Sequence, residues 1–270
     1  MSKRLLIFGL GYTASRLRSR LEGSGWTVTG TGQTARDGVL AFDDPQLAIE
    51  IERATHILSS VPPVDDADPV LKRYGGAIAA APAWLGYLSS TGVYGDCGGA
   101  WVDETAPIGG GRRTARAAAD AAWLALDPRT HVFRLPGIYG PGRSPFQRLR
   151  DGKASRIDSP GQVFSRIHVD DICSALLAAM THPRPGIYNI ADDQPAPAHE
   201  VTAFAAQLSG QDMPPLIPLE KAQLSPMARG FYAENRWVAN GKMLRDLGVR
   251  LRYPDYKSGL RAIYVEETSA

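Results

Sequence analysis

The chain has 270 residues, 30 Lys and Arg against 28 Asp and Glu, and a formal net charge of +2. That length can bury about three quarters of the unfolded surface in one large domain or two joined lobes. Basic residues are scattered rather than blocked, which argues against a nucleic-acid or anionic-membrane partner. No apolar run approaches the ~20 residues of a membrane-spanning helix. Strand residues begin at Arg4, which leaves no place for a secretory signal. Cys97 and Cys173 are the only cysteines, with no histidine pair nearby. Neither a metal site nor a disulfide framework is expected, and a reducing cytoplasm fits.

The chain opens with an apolar run, Arg4–Phe8, that leads into Gly9-Leu10-Gly11-Tyr12-Thr13-Ala14 and then into an amphipathic stretch to Leu21. Strand, glycine turn and helix start in that order form the opening of a dinucleotide-binding unit. Gly9 permits the sharp turn, Gly11 lets backbone approach a pyrophosphate, and Ala14 keeps helix close to strand. The helix N-terminus offers unpaired N–H groups and partial positive charge to phosphates.

Further strands are predicted at Thr27–Thr31, Val39–Phe42, His56–Ser59, Leu85–Ser89, Val132–Leu135 and Ile187–Ile190. Helices are predicted at Thr13–Leu21, Pro69–Ala80, Thr114–Leu126 and Asp170–Met180. Short apolar strands alternating with helices imply a parallel sheet covered on both faces. After Ala191 prolines at 195, 197, 214, 215 and 218 break the pattern, with helices expected at Glu200–Leu208, Gly241–Leu247 and Asp255–Val265. The fold class is therefore α/β, a Rossmann-type doubly wound parallel sheet with a small C-terminal substrate-binding lobe. Residues 1–145 with about 164–193 are assigned to the nucleotide-binding domain, and about 146–163 and 194–270 to the lobe.

A second motif is Leu88-Ser89-Ser90-Thr91-Gly92-Val93-Tyr94-Gly95-Asp96. It resembles the S-S-x-x-V-Y-G that ends strand five in the extended short-chain dehydrogenase/reductases, the nucleotide-sugar epimerases and dehydratases. Arg134–Arg143 resembles that family's R-x-x-x-I/V-Y-G-P-G segment, Ile167–Asp171 its I-H-V-D-D, and Gly186–Ile190 its G-x-Y-N-I/V strand. The resemblance covers about residues 4–195. It implies cofactor contacts at Gly9, Gly11, Tyr12, Thr13 and Ala14, at Ser59, Ser60, Val61 and Pro62, and at Ser89, Pro136 and Ile138. It also implies pairing of subunits through two helices, here Pro69–Ala80 and Thr114–Leu126, and so a homodimer.

The family's working pair is Tyr-x-x-x-Lys, eight and four residues before an acidic residue. Counting back from Asp120, those places hold Arg112 and Arg116. A guanidinium stays protonated and cannot replace a phenol as proton-exchanging base. The chain therefore resembles the atypical members that keep the nucleotide fold but lose the tyrosine. That subgroup's aspartate near the start of helix four corresponds to Asp68, which reads either as a proton carrier or as an N-cap before Pro69. Ser90 is the candidate to polarise a substrate oxygen, with Asp68 and Arg116 as further catalytic candidates. Thr91, Arg112, Tyr139 and Arg143 are candidate substrate contacts. Tyr94 and His168 read as structural.

Cofactor choice turns on the end of strand two, where an acid would bind a ribose 2′-hydroxyl. Thr31-Gly32-Gln33-Thr34-Ala35-Arg36 carries none. NADP is favoured over NAD, with Thr31, Gln33, Thr34 and Arg36 as cofactor contacts and with Arg36 and the Thr34 hydroxyl substituting for the arginine that the subgroup often has at the place of Gln33. The expectation is an NADP-binding oxidoreductase or epimerase-like protein for a small, nucleotide-sugar-like or anionic molecule. A non-catalytic sensor of NADP(H) redox state is the alternative.

Overall fold

The computed structural model describes residues 3–269. Seven strands, β1 (Lys3–Phe8), β2 (Trp26–Gly32), β3 (Val39–Ala41), β4 (His56–Ser59), β5 (Trp84–Ser90), β6 (Thr130–Leu135) and β7 (Gly186–Asn189), form one sheet in the order β7-β6-β5-β4-β1-β2-β3. Every pairing is parallel. All seven predicted strands are present, with no end shifted by more than two residues.

Strand β1 shows why the sheet is buried on both sides. Leu5 and Ile7 point into one core with Leu17 and Leu21 of α1 (Tyr12–Leu21) and with Ile172 and Leu176 of α6 (Val169–Thr181). Leu6 and Phe8 point into the other. There they meet Leu47 and Ile51 of α2 (Gln46–Arg53), Val70 and Ile78 of α3 (Pro69–Ala80), and Ala119 and Trp123 of α4 (Thr114–Leu126). Each fully buried Leu or Ile contributes about 1.5–3 kcal/mol. Alternation with period two therefore directs one strand to two helical layers. The missed helix α2 is only eight residues long, with Pro45 before it and no capping side chain.

Polar groups tie the layers together. The Arg16 Nε donates to Asp170 Oδ1 at 2.7 Å, pinning α1 to the start of α6. At that start His168 Nδ1 accepts from the Asp170 N–H at 3.2 Å, the structural role expected of it. On β6, Arg134 Nε donates to Asp120 Oδ2 on α4 at 2.8 Å, both side chains almost wholly buried. Its Nη1 donates to Tyr94 Oη, which donates to Asn189 Oδ1 on β7. One arginine thus joins α4, the turn after β5 and the sheet edge.

The C-terminal part has its own core. It holds Phe146 and Leu149 of α5 (Pro145–Arg150), Ala205 and Ala206 of α7 (Ala198–Ser209), and Leu260 and Ile263 of α10 (Tyr256–Thr268). The helices α8 (Pro226–Tyr232) and α9 (Gly241–Asp246) lie between α7 and α10 in sequence. Met243 of α9 and Val249 pack into the sheet-side core rather than the lobe core. Trp237–Val238 likewise pairs with Trp101–Val102, which follows β5. Two stretches placed in the lobe from sequence therefore lie against the half built on the seven-stranded sheet. Among the described residues no helix is long and apolar enough to cross a membrane.

Two outcomes are expected. Arg134→Met leaves Asp120 buried without its partner, costing about 3–5 kcal/mol in urea unfolding, while adding Asp120→Leu restores most of it. Stability also falls in acid. Burial lowers His131 and His168 from 6.5 to about 4. The unfolded chain therefore binds more protons between those values, and stability complete above about pH 6.5 declines as pH falls toward 4. His168→Asn, which keeps an N-cap acceptor, should flatten that decline in urea midpoints measured across the range.

Candidate active site

The sheet order reverses between β4 and β1, so crossovers leave in opposite directions and a crevice opens at the strands' C-terminal ends. Gly9 follows β1 with φ +84°. A Cβ there would stand 2.9 Å from Val61 Cγ2 and 3.0 Å from Ser60 Oγ, so both backbone and space demand glycine. Thr31, at the end of β2, holds the turn from below. Its hydroxyl accepts from the Gly9 N–H at 3.1 Å and its carbonyl from the Leu10 N–H at 2.8 Å. Gly11 is the N-cap of α1 and has no side chain to pair the first-turn amides. A Cβ on Gly11 would meet nothing within 4 Å. The turn is thus a cradle of backbone donors open to one side, which fits a diphosphate.

The cradle opens into a cleft of about 470 Å³. Gly11, Tyr12, Thr13, Ala14, Ser60, Ser89, Ser90, Thr91, Pro136, Ile138, Arg112, Arg116 and Arg143 line it, bringing together most of the residues singled out in the sequence. Tyr12 closes one side by donating to the Pro141 carbonyl at 2.9 Å, and Arg143 lies over its ring. Gly140 is required there, because a Cβ would stand 2.5 Å from Tyr12 Oη.

Ser90 ends β5 as a half-buried side chain. Its Oγ accepts from the Gly92 N–H at 3.1 Å, capping a short turn of helix at Thr91–Tyr94. Its own proton remains to donate into the cleft. Ser89 Oγ is buried and has no partner among the described residues. Arg116 donates to Tyr87 Oη at 3.1 Å and to the Leu88 carbonyl at 3.3 Å.

Asp68 does not reach the cleft. Its Oδ1 accepts from the Val70 and Leu71 N–H groups, and its Oδ2 accepts from Trp123 Nε1 at 2.8 Å. The side chain is buried and fully committed as the N-cap of α3, which corrects its reading as a proton carrier. Tyr139 is also set apart, buried with its hydroxyl on the Asp255 carbonyl and its ring edge-on to His168. Burial pushes that phenol well above its ordinary range. Ser59 is buried at the end of β4, Val61 packs against Gly9, and neither these two nor Pro62 lines the cleft. Gln33, Thr34 and Arg36 are exposed beyond the end of β2, and Arg36 Nη2 reaches the Leu10 carbonyl at 3.5 Å.

Several cleft residues escaped the sequence reading. Arg113, Ser165, Phe231, Glu234 and Arg236 all line it. The Glu234 Oε1 accepts from the Arg112 backbone and Nε at 3.2 and 3.1 Å, and its Oε2 from Arg236 at 3.0 Å. Burial pushes the Glu234 carboxyl up, but the Arg112 backbone N–H and Arg236 outweigh it and hold the group below its usual range. Arg113 is depressed instead, by burial first and then by Arg116 and Arg112. The adjacent Arg112-Arg113 pair was a visible signal. The residues beyond 230 carried none, since no motif links them to β5.

No protein-family model matches the chain. A functionally unknown conserved protein from Silicibacter pomeroyi DSS has 46% identity and a TM-score of 0.91, over 98% of this chain and 99% of that one. Protein YeeZ of Escherichia coli K12 is 28% identical over 94% of this chain and 97% of its own length. Human epimerase family protein SDR39U1, solved with NADPH, has a TM-score of 0.77 at 19% identity, covering 96% and 98% of the two chains. MoeE5, solved with UDP-glucose and NAD, has a TM-score of 0.77 at 18% identity, covering 98% and 99%. At the last two identities the likeness is one of fold. The chain belongs to one family with the Silicibacter pomeroyi protein, and its fold is that of the epimerase- and dehydratase-like short-chain dehydrogenase/reductases.

Proposed function

We propose that this chain is an NADP(H)-dependent oxidoreductase, epimerase-like in fold, that acts on a small anionic molecule without a tyrosine base. One observation carries the reading: the uncapped glycine turn and the Ser90 hydroxyl open onto the same cleft. The likeness to folds solved with NADPH and with NAD supports a nicotinamide cofactor. The preference for NADP rests on the end of β2, where Gln33, Thr34 and Arg36 present donors and charge and no carboxylate stands before Asp37.

When bound, a nicotinamide cofactor supplies or takes up a hydride. The chain's own groups do the rest. Ser90 donates to the substrate oxygen, Arg113 faces the anionic group of the substrate, and Arg116 supports the negative charge that develops at the oxygen. Both guanidiniums stay protonated, so neither exchanges the proton. Glu234 is the one carboxylate among the described cleft residues, and its two arginine partners keep it ionised. Protons therefore pass between Ser90 and water. Electrostatic support from the arginines thus stands in for a dedicated general acid. The same lack of an acid favours the sensor reading, in which NADP(H) binds and nothing turns over.

Ser90→Ala should lower kcat by about 10²–10³-fold and leave the NADPH dissociation constant unchanged. Full turnover in that variant removes the serine's role, and tight NADPH binding with no turnover of any carbonyl acid supports the sensor. Calorimetry should further show NADPH bound more tightly than NADH, with Arg36→Ala erasing about tenfold of that preference. Equal affinities in the unaltered chain would overturn the choice of cofactor.

A further inference from the structure

We propose that Arg113 is the substrate-selecting residue of the cleft, and that it selects a short carboxylate of the 2-oxo or 2-hydroxy acid class. This rests on the reading of the cleft as a nicotinamide-dependent site. Five guanidiniums face it and one carboxylate, Glu234. Three of the five have polar partners, and a fourth, Arg143, is exposed to solvent. Arg112 and Arg236 share Glu234. Arg116 spans Tyr87 and the β5 backbone, and Arg143 lies at the exposed rim over Tyr12. The Arg113 guanidinium makes no hydrogen bond or ion pair among the described residues, and it sits half-buried against the ring of Phe231.

A half-buried cation beside two others, with no counter-ion, is poised to accept an anion from outside. The two neighbouring arginines raise the local potential, and burial strengthens whatever ion pair forms. A guanidinium fork suits a carboxylate in two-point contact.

Placement narrows the ligand further. A Cβ on Gly92 would stand 2.6 Å from Arg113 Cδ, 3.1 Å from its Nε and 3.3 Å from Ser90 Oγ. The base of the guanidinium and the serine hydroxyl therefore lie close together beside Gly92. An anion held by Arg113 lies within a few bonds of an oxygen held by Ser90. That suits a carboxylate next to a carbonyl or carbinol carbon. A nucleotide sugar is a poor match, because its diphosphate lies across a sugar ring from the carbons that react. The bare Gly92 is what lets the Arg113 stem lie flat along this wall.

The test uses the full chain and oxamate, an unreactive mimic of a 2-oxo acid, by calorimetry with and without NADPH. Oxamate should bind the unaltered chain, about 10- to 100-fold more weakly in Arg113→Gln, and with intermediate strength in Arg113→Lys. NADPH affinity and melting temperature should stay level in both variants, which shows that the fold persists. Undiminished oxamate binding in Arg113→Gln overturns the assignment, as does an unaltered chain that fails to bind oxamate, whether or not it binds UDP. Oxamate binding that depends on Arg113 in a chain that does not take NADPH supports this assignment and sinks the cofactor reading alone.

Discussion

A parallel sheet buried on both faces must send every connection over its ends, and this constraint organises the molecule. Strand β1 gives alternate residues to two helical layers, so neither face is free for a ligand. What remains is the C-terminal edge, and only between β1 and β4 do the crossovers part. The crevice is thus a by-product of burial and topology. Gly9, Thr31 and Ser60 then shape it, through a left-handed turn propped from β2 and flanked by β4.

A buried polar network keeps the other side of the crevice in register. Arg134, Asp120, Tyr94 and Asn189 span β6, α4, the turn after β5 and β7. Since Ser90 and Thr91 begin that turn, the network holds the strand end that presents the hydroxyl. Leaving such charges unmatched is costly, so the network acts as a single unit. The tyrosines at 94 and 139, both near motifs that suggest chemistry, are absorbed into structure by comparable contacts.

The arginine cluster follows a different logic. It is assembled from the start of α4 and from the stretch around 234–236, which the Trp101–Val102 and Trp237–Val238 pairing brings back to β5. Glu234 bridges two of its members but offsets only one charge, and the excess positive charge faces the cleft. Such a setting favours an anionic ligand over a neutral one.

Much of the frame was legible locally. The seven sheet strands, the Pro69–Ala80 and Thr114–Leu126 helices and the glycine turn are written in apolar runs, caps and backbone demands that act over a few residues. The short helices Gln46–Arg53, Pro145–Arg150 and Pro226–Tyr232 were not, because runs of six to eight residues hold together only once packed. Asp68 illustrates the divide at a single side chain. Its sequence neighbours allow either an N-cap or a proton carrier, and Trp123, 55 positions away, decides for the first. The partners of Glu234 were equally hidden. Spacing along the chain determined the sheet and the phosphate cradle, whereas which charges meet across the cleft depended on long-range packing that no local pattern encodes.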